Sequence, residues 1–254
     1  MSGNLTDYEL ISLIQEAPSM ITITPLASSS AGNCYIIDNG QSRLLLDCGI
    51  PWRRVLQGLG HRLDNVAGIL ATHEHQDHVR GIKDAAKAGI DIYLSHGTAD
   101  VMGCFGHRFH RVYPLVNRPI NGGWSIFPFV VEHDAAEPLG FLVTSGSDRL
   151  LYITDTAYCR YLFPGVTHAI IECNYSDEIL DKNVAAGHID VARAFRVRRS
   201  HLSLKRVVDM IKSNEWTGLQ EVHLIHLSSA NSDEQLFKSE VQKITGCPVY
   251  VAGE

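Results

Sequence analysis

The sequence predicts an α/β protein built of two mixed β-sheets flanked by helices. Apolar runs of strand length recur along the whole chain, and segments of helical period lie between several of them. Many of the strands also follow one another with no crossover helix, which fits two mixed sheets better than one doubly wound parallel sheet. A chain of 254 residues, 45% hydrophobic and 20% charged, can bury one substantial core, so a single large domain is expected.

Residues 1–19 read as an appended amphipathic helix. Thr6 and Glu9 form a T-x-x-E capping box, Leu10, Leu13, Ile14 and Ala17 follow at helical spacing, and Pro18 ends the run. So short a helix is marginal alone in water and must pack on its own domain or on a second subunit. A homodimer is the expected assembly. The domain proper then occupies residues 20–254. Strands are expected over 21–27, 34–37, 44–46, 66–71, 92–94, 125–131, 141–143, 150–153, 169–171, 222–227 and 249–251. Helices are expected over 52–59, 82–88, 203–212 and 233–244. In the third of these, Leu204, Val207, Val208 and Ile211 make one apolar stripe. Residues 96–114, rich in glycine and histidine, read either as a movable wall over a site or as irregular surface.

Several classes are excluded or disfavoured. No run approaches the roughly 18–20 apolar residues that span a bilayer, and no leader pattern opens the chain, so a cytoplasmic protein without a membrane partner is expected. The six cysteines form no C-x-x-C pair, which argues against a disulfide framework and against thiolate zinc. A net charge of -6 disfavours indiscriminate binding to nucleic acid, though not a local basic groove.

The informative stretch is Ala71-Thr72-His73-Glu74-His75-Gln76-Asp77-His78, directly after the strand-like VAGILA. His73 and His75 alternate to one side at a strand end. The chain then turns and offers Asp77 and His78 to a second position nearby. Imidazole and carboxylate suit borderline divalent metals. At this chain's residue frequencies, H-x-H-x-D-H arises by chance on the order of 0.002 times. His133, after SIFPFVVE, Asp155, ending LLYITD, and His226, in EVHLIHLSS, are further strand-end candidates. His223 is the rival to His226, and the serine- and asparagine-rich turn after His226 favours the latter.

The loop resembles the signature of the metallo-β-lactamase superfamily. That resemblance implies an αββα sandwich with two divalent metal ions, zinc foremost and manganese as an alternative. By the same resemblance His73, His75 and His133 would hold one metal, Asp77, His78 and His226 the other, and Asp155 would bridge both. Within the superfamily, the opening Pro25–Tyr35 segment, His133-Asp134-Ala135-Ala136-Glu137-Pro138, Ile171-Glu172-Cys173-Asn174-Tyr175 and His201-Leu202-Ser203 are similar to the YycJ-like (WalJ-like) exonuclease group. The likeness runs from about residue 21 to 252. It departs in the amino-terminal extension, in the serine-rich opening loop and at Ser200, where a glycine is usual.

The implied function is two-metal hydrolysis of nucleic-acid or nucleotide phosphodiesters, since paired metals clamp phosphoryl oxygens and generate hydroxide at neutral pH. The scaffold is also similar to cyclic-nucleotide phosphodiesterases, the anti-Pycsar enzymes among them. Thioester and lactone hydrolases share the metal ligands and are a third reading. Asp77, Asp155 and His201 are the candidate catalytic groups, with His201 as proton donor to the leaving oxygen. Ser30, Asn33, Asn174, His201 and Ser203 are candidate substrate contacts. The Ser29–Asn33 loop reads equally as a phosphate-binding turn or a plain hairpin. The arginines at 193, 196, 198 and 199 read equally as a phosphate-binding face or a solvated helix.

Overall fold

The computed structural model describes residues 21–252; the helix expected over residues 1–19 lies outside them. The first sheet runs side by side in chain order: β1 (Thr22–Ser29), β2 (Gly32–Asp38), β3 (Arg43–Leu46), β4 (Val66–Leu70), β5 (Ile92–Leu94) and β6 (Phe109–Arg111). Its first three strands are antiparallel and β3 to β6 are parallel. The second sheet holds β7 (Arg118–Ile120), β8 (Trp124–Val130), β9 (Leu139–Ser145), β10 (Asp148–Ile153), β11 (His168–Glu172), β12 (Glu221–Ile225) and β13 (Val249–Val251), again in chain order. Here β7 to β10 are antiparallel and β10 to β13 parallel.

The two-residue side-chain period sorts each strand between two cores. Tyr35, Ile37, Leu44, Leu46, Leu150, Tyr152 and Ile170 point between the sheets. Their neighbours Ile36, Leu45 and Ile69 point outward beneath α1 (Trp52–Gly58), α3 (Ile82–Lys87) and α4 (His96–Met102). On the other side Leu151, Ile153, Ala169 and Ile171 point outward beneath α7 (Leu204–Asn214) and α8 (Glu234–Thr245). Burial on both faces is why these strands read as near-continuous apolar runs. The layers are helix, sheet, sheet, helix, as expected.

Each expected strand and helix within the described residues ends within two residues of the observed one. Not anticipated were the three-residue strands β6 and β7 and three helices: α2 (Gln76–Val79), α4 and α5 (Asp177–Ala185); the arginine run at 193–199 does lie on a helix, α6 (Val191–Ser200). Residues 96–114 are therefore not irregular surface. Ser95 caps α4 by accepting the Thr98 N–H, Gly103 closes it in the left-handed conformation, and β6 pairs with β5. Helices α5 and α6 pack on one another through Leu180 and Ala194, apart from the main cores. Among the described residues no helix is long and apolar enough to cross a membrane.

Candidate metal centre

The carboxyl ends of the parallel strands from both sheets meet at one rim, the usual place for a site in α/β architectures. There the structure brings together all seven residues expected as ligands. His73, His75 and His133 form one cluster of converging nitrogen atoms, and Asp77, His78, Asp155 and His226 form a second. His73 Nε2 and His133 Nε2 lie 3.1 and 3.2 Å from His75 Nδ1. Asp155 stands between the clusters: its Oδ2 is 2.7 Å from His78 Nε2 and 3.5 Å from His73 Nε2. His226, rather than His223, enters the site, with Nδ1 2.9 Å from Asp155 Oδ1. His223 lies in a different part of the fold, its ring 4.9 Å from that of Tyr250.

Each of four histidines has its outward nitrogen occupied, and this selects the nitrogen left for a metal. His78 Nδ1 donates to Asp47 Oδ2 at 2.7 Å. His226 Nδ1 donates to Glu172 Oε1 at 3.0 Å, which leaves its buried Nε2 with no hydrogen-bond partner among the described residues. His133 Nδ1 donates to the Ser200 carbonyl oxygen at 3.3 Å. His73 Nδ1 is 3.0 Å from Thr72 Oγ1, whose hydroxyl donates to Asp47. Such a donor set, its ring nitrogens aimed at common centres and one of them orphaned, fits divalent metals.

Asp47 was not anticipated from sequence. Fully buried, its carboxylate accepts from Thr72 N, Tyr152 Oη and His78 Nδ1 at 2.8, 2.6 and 2.7 Å. The only sequence trace is a carboxylate ending an apolar strand, in LLLDCG. Gly49, just beyond, supports the loop from beneath. A Cβ there would lie 1.6 Å from the Asp77 carbonyl oxygen, so no side chain fits. Asp47, Asp155 and His226 all adopt positive φ, at 55°, 42° and 55°. Left-handed backbone at non-glycine residues costs about 1–3 kcal/mol each and gathers at functional sites.

Burial draws the His73 and His133 rings below their ordinary pKa. Burial acts on His78 in the same sense, but Asp155 and Asp47 outweigh it and hold the ring well above its usual range. His226 is likewise brought up to about 9 by Asp155 and Glu172 against the effect of burial. Burial pushes the Asp155 carboxyl up, and His226 and His78 beside it more than reverse that, holding it well below the usual carboxylate range. His201 stands at the edge of the centre, its Nδ1 2.6 Å from Glu172 Oε1 and 3.5 Å from Asp155 Oδ1. Burial lowers its pKa, but Glu172 and Asp155 carry it to about 10.

The other expected substrate contacts fare differently. Ser30 is exposed on the turn between β1 and β2, which is a hairpin. Asn33, Asn174 and Ser203 are buried, with their polar groups engaged inside the protein. Asn33 Nδ2 lies 3.2 Å from His78 Nε2, and Asn174 Nδ2 donates to the His226 carbonyl oxygen at 2.8 Å. Ser203 caps α7 by accepting the Arg206 N–H. In these positions the three side chains brace the centre or its surroundings.

A two-sheet sandwich with this donor set at its rim defines a metal-dependent hydrolase. Residues 42–226 match the family described as Beta-lactamase superfamily domain, and the chain belongs to that family. It is 25% identical over 225 residues to the exodeoxyribonuclease WalJ of Streptococcus pneumoniae, covering 83% of each chain. It is 48% identical over 67 residues to the anti-Pycsar protein Apyc1 of Paenibacillus xerothermodurans, covering 24% of this chain and 26% of that one. Among solved structures, the metallo-beta-lactamase fold protein YhfI from Bacillus subtilis superposes with a TM-score of 0.69 at 17% identity, over 91% of this chain and 96% of that one.

Proposed function

We propose that the protein is a two-metal phosphodiesterase acting on nucleic-acid or nucleotide phosphodiester bonds, most like the WalJ-type exodeoxyribonucleases. The observation that carries the reading is Asp155, one buried carboxylate set between two clusters of converging donors. The near full-length match to a WalJ exodeoxyribonuclease supports the substrate class. In this reading His73, His75 and His133 hold one ion, Asp77, His78 and His226 the other, and Asp155 both. Bound ions would polarise the phosphoryl oxygens and lower the pKa of attacking water. The chain's own part is to fix their separation through Asp155, to orient the ligand rings through Asp47, Glu172 and Ser200, and to donate a proton from His201.

The purified protein is expected to carry about two divalent ions per chain, zinc for preference given the histidine-rich donors. Elemental analysis after reconstitution checks this, and one ion or none would refute the dinuclear reading. The local match to an anti-Pycsar protein favours a second reading, a cyclic-nucleotide phosphodiesterase. Turnover of bis(p-nitrophenyl) phosphate against a thioester tests the phosphodiesterase class. Cyclic mononucleotides beside single- and double-stranded DNA separate the two readings. A homodimer is part of the proposal. Light scattering should give twice the chain mass, and a monomer at micromolar concentration would remove it.

A further inference from the structure

A groove of about 700 Å³ opens directly beside the metal centre, bounded by His133 on one side and α6 on the other. Pockets for nucleotide-sized ligands run from about 300 to 1,000 Å³. Its attachment to the site is direct, because the Ser200 carbonyl oxygen at the end of α6 accepts the hydrogen bond from His133 Nδ1. Two aromatic rings lie open on its walls: Phe195 is 59% exposed and Tyr158 55%. Phe195 and Arg199 stand one helical turn apart, with the guanidinium carbon 5.6 Å from the ring centroid.

The arginines of the groove divide by what already holds them. Arg198 is paired with Asp181 at 2.8 Å, and Arg206 is bonded to the carbonyl oxygens of Ala157 and Arg198. Arg196 and Arg199 are exposed and have no ion-pair partner among the described residues. Of the acidic groups in the lining, Glu132 is paired with Arg160 at 2.6 Å, which leaves Asp134 as the opposing carboxylate. In a chain of net charge -6, two guanidinium groups with no acidic partner among the described residues, Arg199 lying over one face of Phe195, make this groove a place where a polyanion is drawn.

We propose that this groove is a subsite for single-stranded polynucleotide, in which unpaired bases stack on Phe195 and Tyr158 while Arg196 and Arg199 hold the phosphates next to the scissile one. The inference rests on the phosphodiesterase reading and deepens it. Open ring faces serve unpaired bases, since bases inside a duplex are already stacked on one another. A subsite beside the centre, rather than within it, serves a substrate that continues past the cleaved bond. A cyclic mononucleotide does not.

The test uses the full-length, metal-loaded protein and a fluorescein-labelled phosphorothioate 12-mer that resists cleavage, offered as a single strand and as a blunt duplex. Anisotropy should show the single strand bound more tightly. Phe195→Ala should weaken that binding roughly 5- to 150-fold, the range for one lost base-stacking contact, and Phe195→Trp should restore it. Arg199→Ala should reduce the slope of log affinity against log salt by about 0.7, the value for one phosphate contact on a single strand. For each alanine variant, cleavage of an unmodified 12-mer should fall more than turnover of bis(p-nitrophenyl) phosphate, which has no second phosphate for Arg199 and no nucleobase for Phe195.

Tighter binding of the duplex overturns the proposal, as do equal losses on both substrates. A Phe195→Ala protein that turns from dimer to monomer with its DNA binding intact overturns it too, since the ring would then serve a subunit contact. If the single strand binds as described but no phosphodiester is cleaved, the subsite stands and the catalytic reading fails.

Discussion

Asp155→Ala should abolish hydrolysis and strip the protein of both ions at once. The carboxylate lies 2.7 Å from His78 Nε2, 3.5 Å from His73 Nε2 and 2.9 Å from His226 Nδ1, so its removal reaches both donor clusters. Losing a group that merely orients a ligand lowers metal affinity about 10–100-fold, and a residue shared by both positions should cost more than the upper end of that range. Elemental analysis and a turnover assay on one preparation make the check, with near-ultraviolet circular dichroism to show that the cores are intact. A variant that keeps two ions and normal turnover would mean that the bridging group lies elsewhere, with Asp77 the remaining carboxylate of the cluster.

His201→Ala should keep the ions and slow the reaction by roughly 10²–10⁴-fold, the range for a lost proton donor. The side chain is 21% exposed, and its Nδ1 is turned inward to Glu172, which leaves Nε2 as the nitrogen that can deliver a proton. A ring whose pKa is raised to about 10 is charged, and able to donate, below that value. Donation is therefore lost as pH rises, and cations held at Asp155 would move the loss to lower pH. The alkaline limb of the rate profile should accordingly lie at or below pH 10 and vanish in the variant. The defect should also shrink when the leaving group is p-nitrophenolate, which needs little protonation. An equal defect for good and poor leaving groups would assign His201 to phosphate binding instead.

The parts of this structure that were legible in the sequence are those where one residue type must recur for a local reason. The central strands could be placed because burial on two faces leaves them apolar throughout, as in Leu44-Leu45-Leu46 and Leu150-Leu151-Tyr152-Ile153. The clustered histidines could be found because a metal site would call for imidazole at strand ends. Helix α6 was legible only as one of two readings of its arginine run, because only Ala194 is buried on it and no apolar stripe marks it. Strands β6 (Phe-His-Arg) and β7 (Arg-Pro-Ile) carry charge and a proline, so no apolar run marks them as it marks the equally short β5 and β13. Asp47 was missed for a different reason. Its work depends on Thr72, His78 and Tyr152, which lie 25, 31 and 105 residues away and meet it only after the sheets have folded. Asn33 reads as part of a small-residue loop open to phosphate, and Asn174 and Ser203 as members of segments that carry the family resemblance, and from sequence none of them shows whether its polar group faces substrate or the interior. In the folded chain the same polarity satisfies buried groups.

The division of the donors between the sheets has a mechanical meaning. His73, His75, Asp77 and His78 follow β4 in the first sheet, whereas His133, Asp155 and His226 follow β8, β10 and β12 in the second. All the strands of the first sheet precede those of the second in the chain, so an ion bound here fastens the amino-terminal half to the carboxy-terminal half. It acts as a rivet at one end of a seam that is closed elsewhere by side-chain packing among Tyr35, Leu44, Phe141 and Tyr152 and by hydrogen bonds such as those from Tyr152 Oη to Asp47 and from Trp124 Nε1 to Ser42. A ligand that binds only the native arrangement adds its binding free energy to the stability of that arrangement. Withdrawing the ions should therefore let the two sheets slide or part at this rim before either sheet's own ladder of hydrogen bonds gives way.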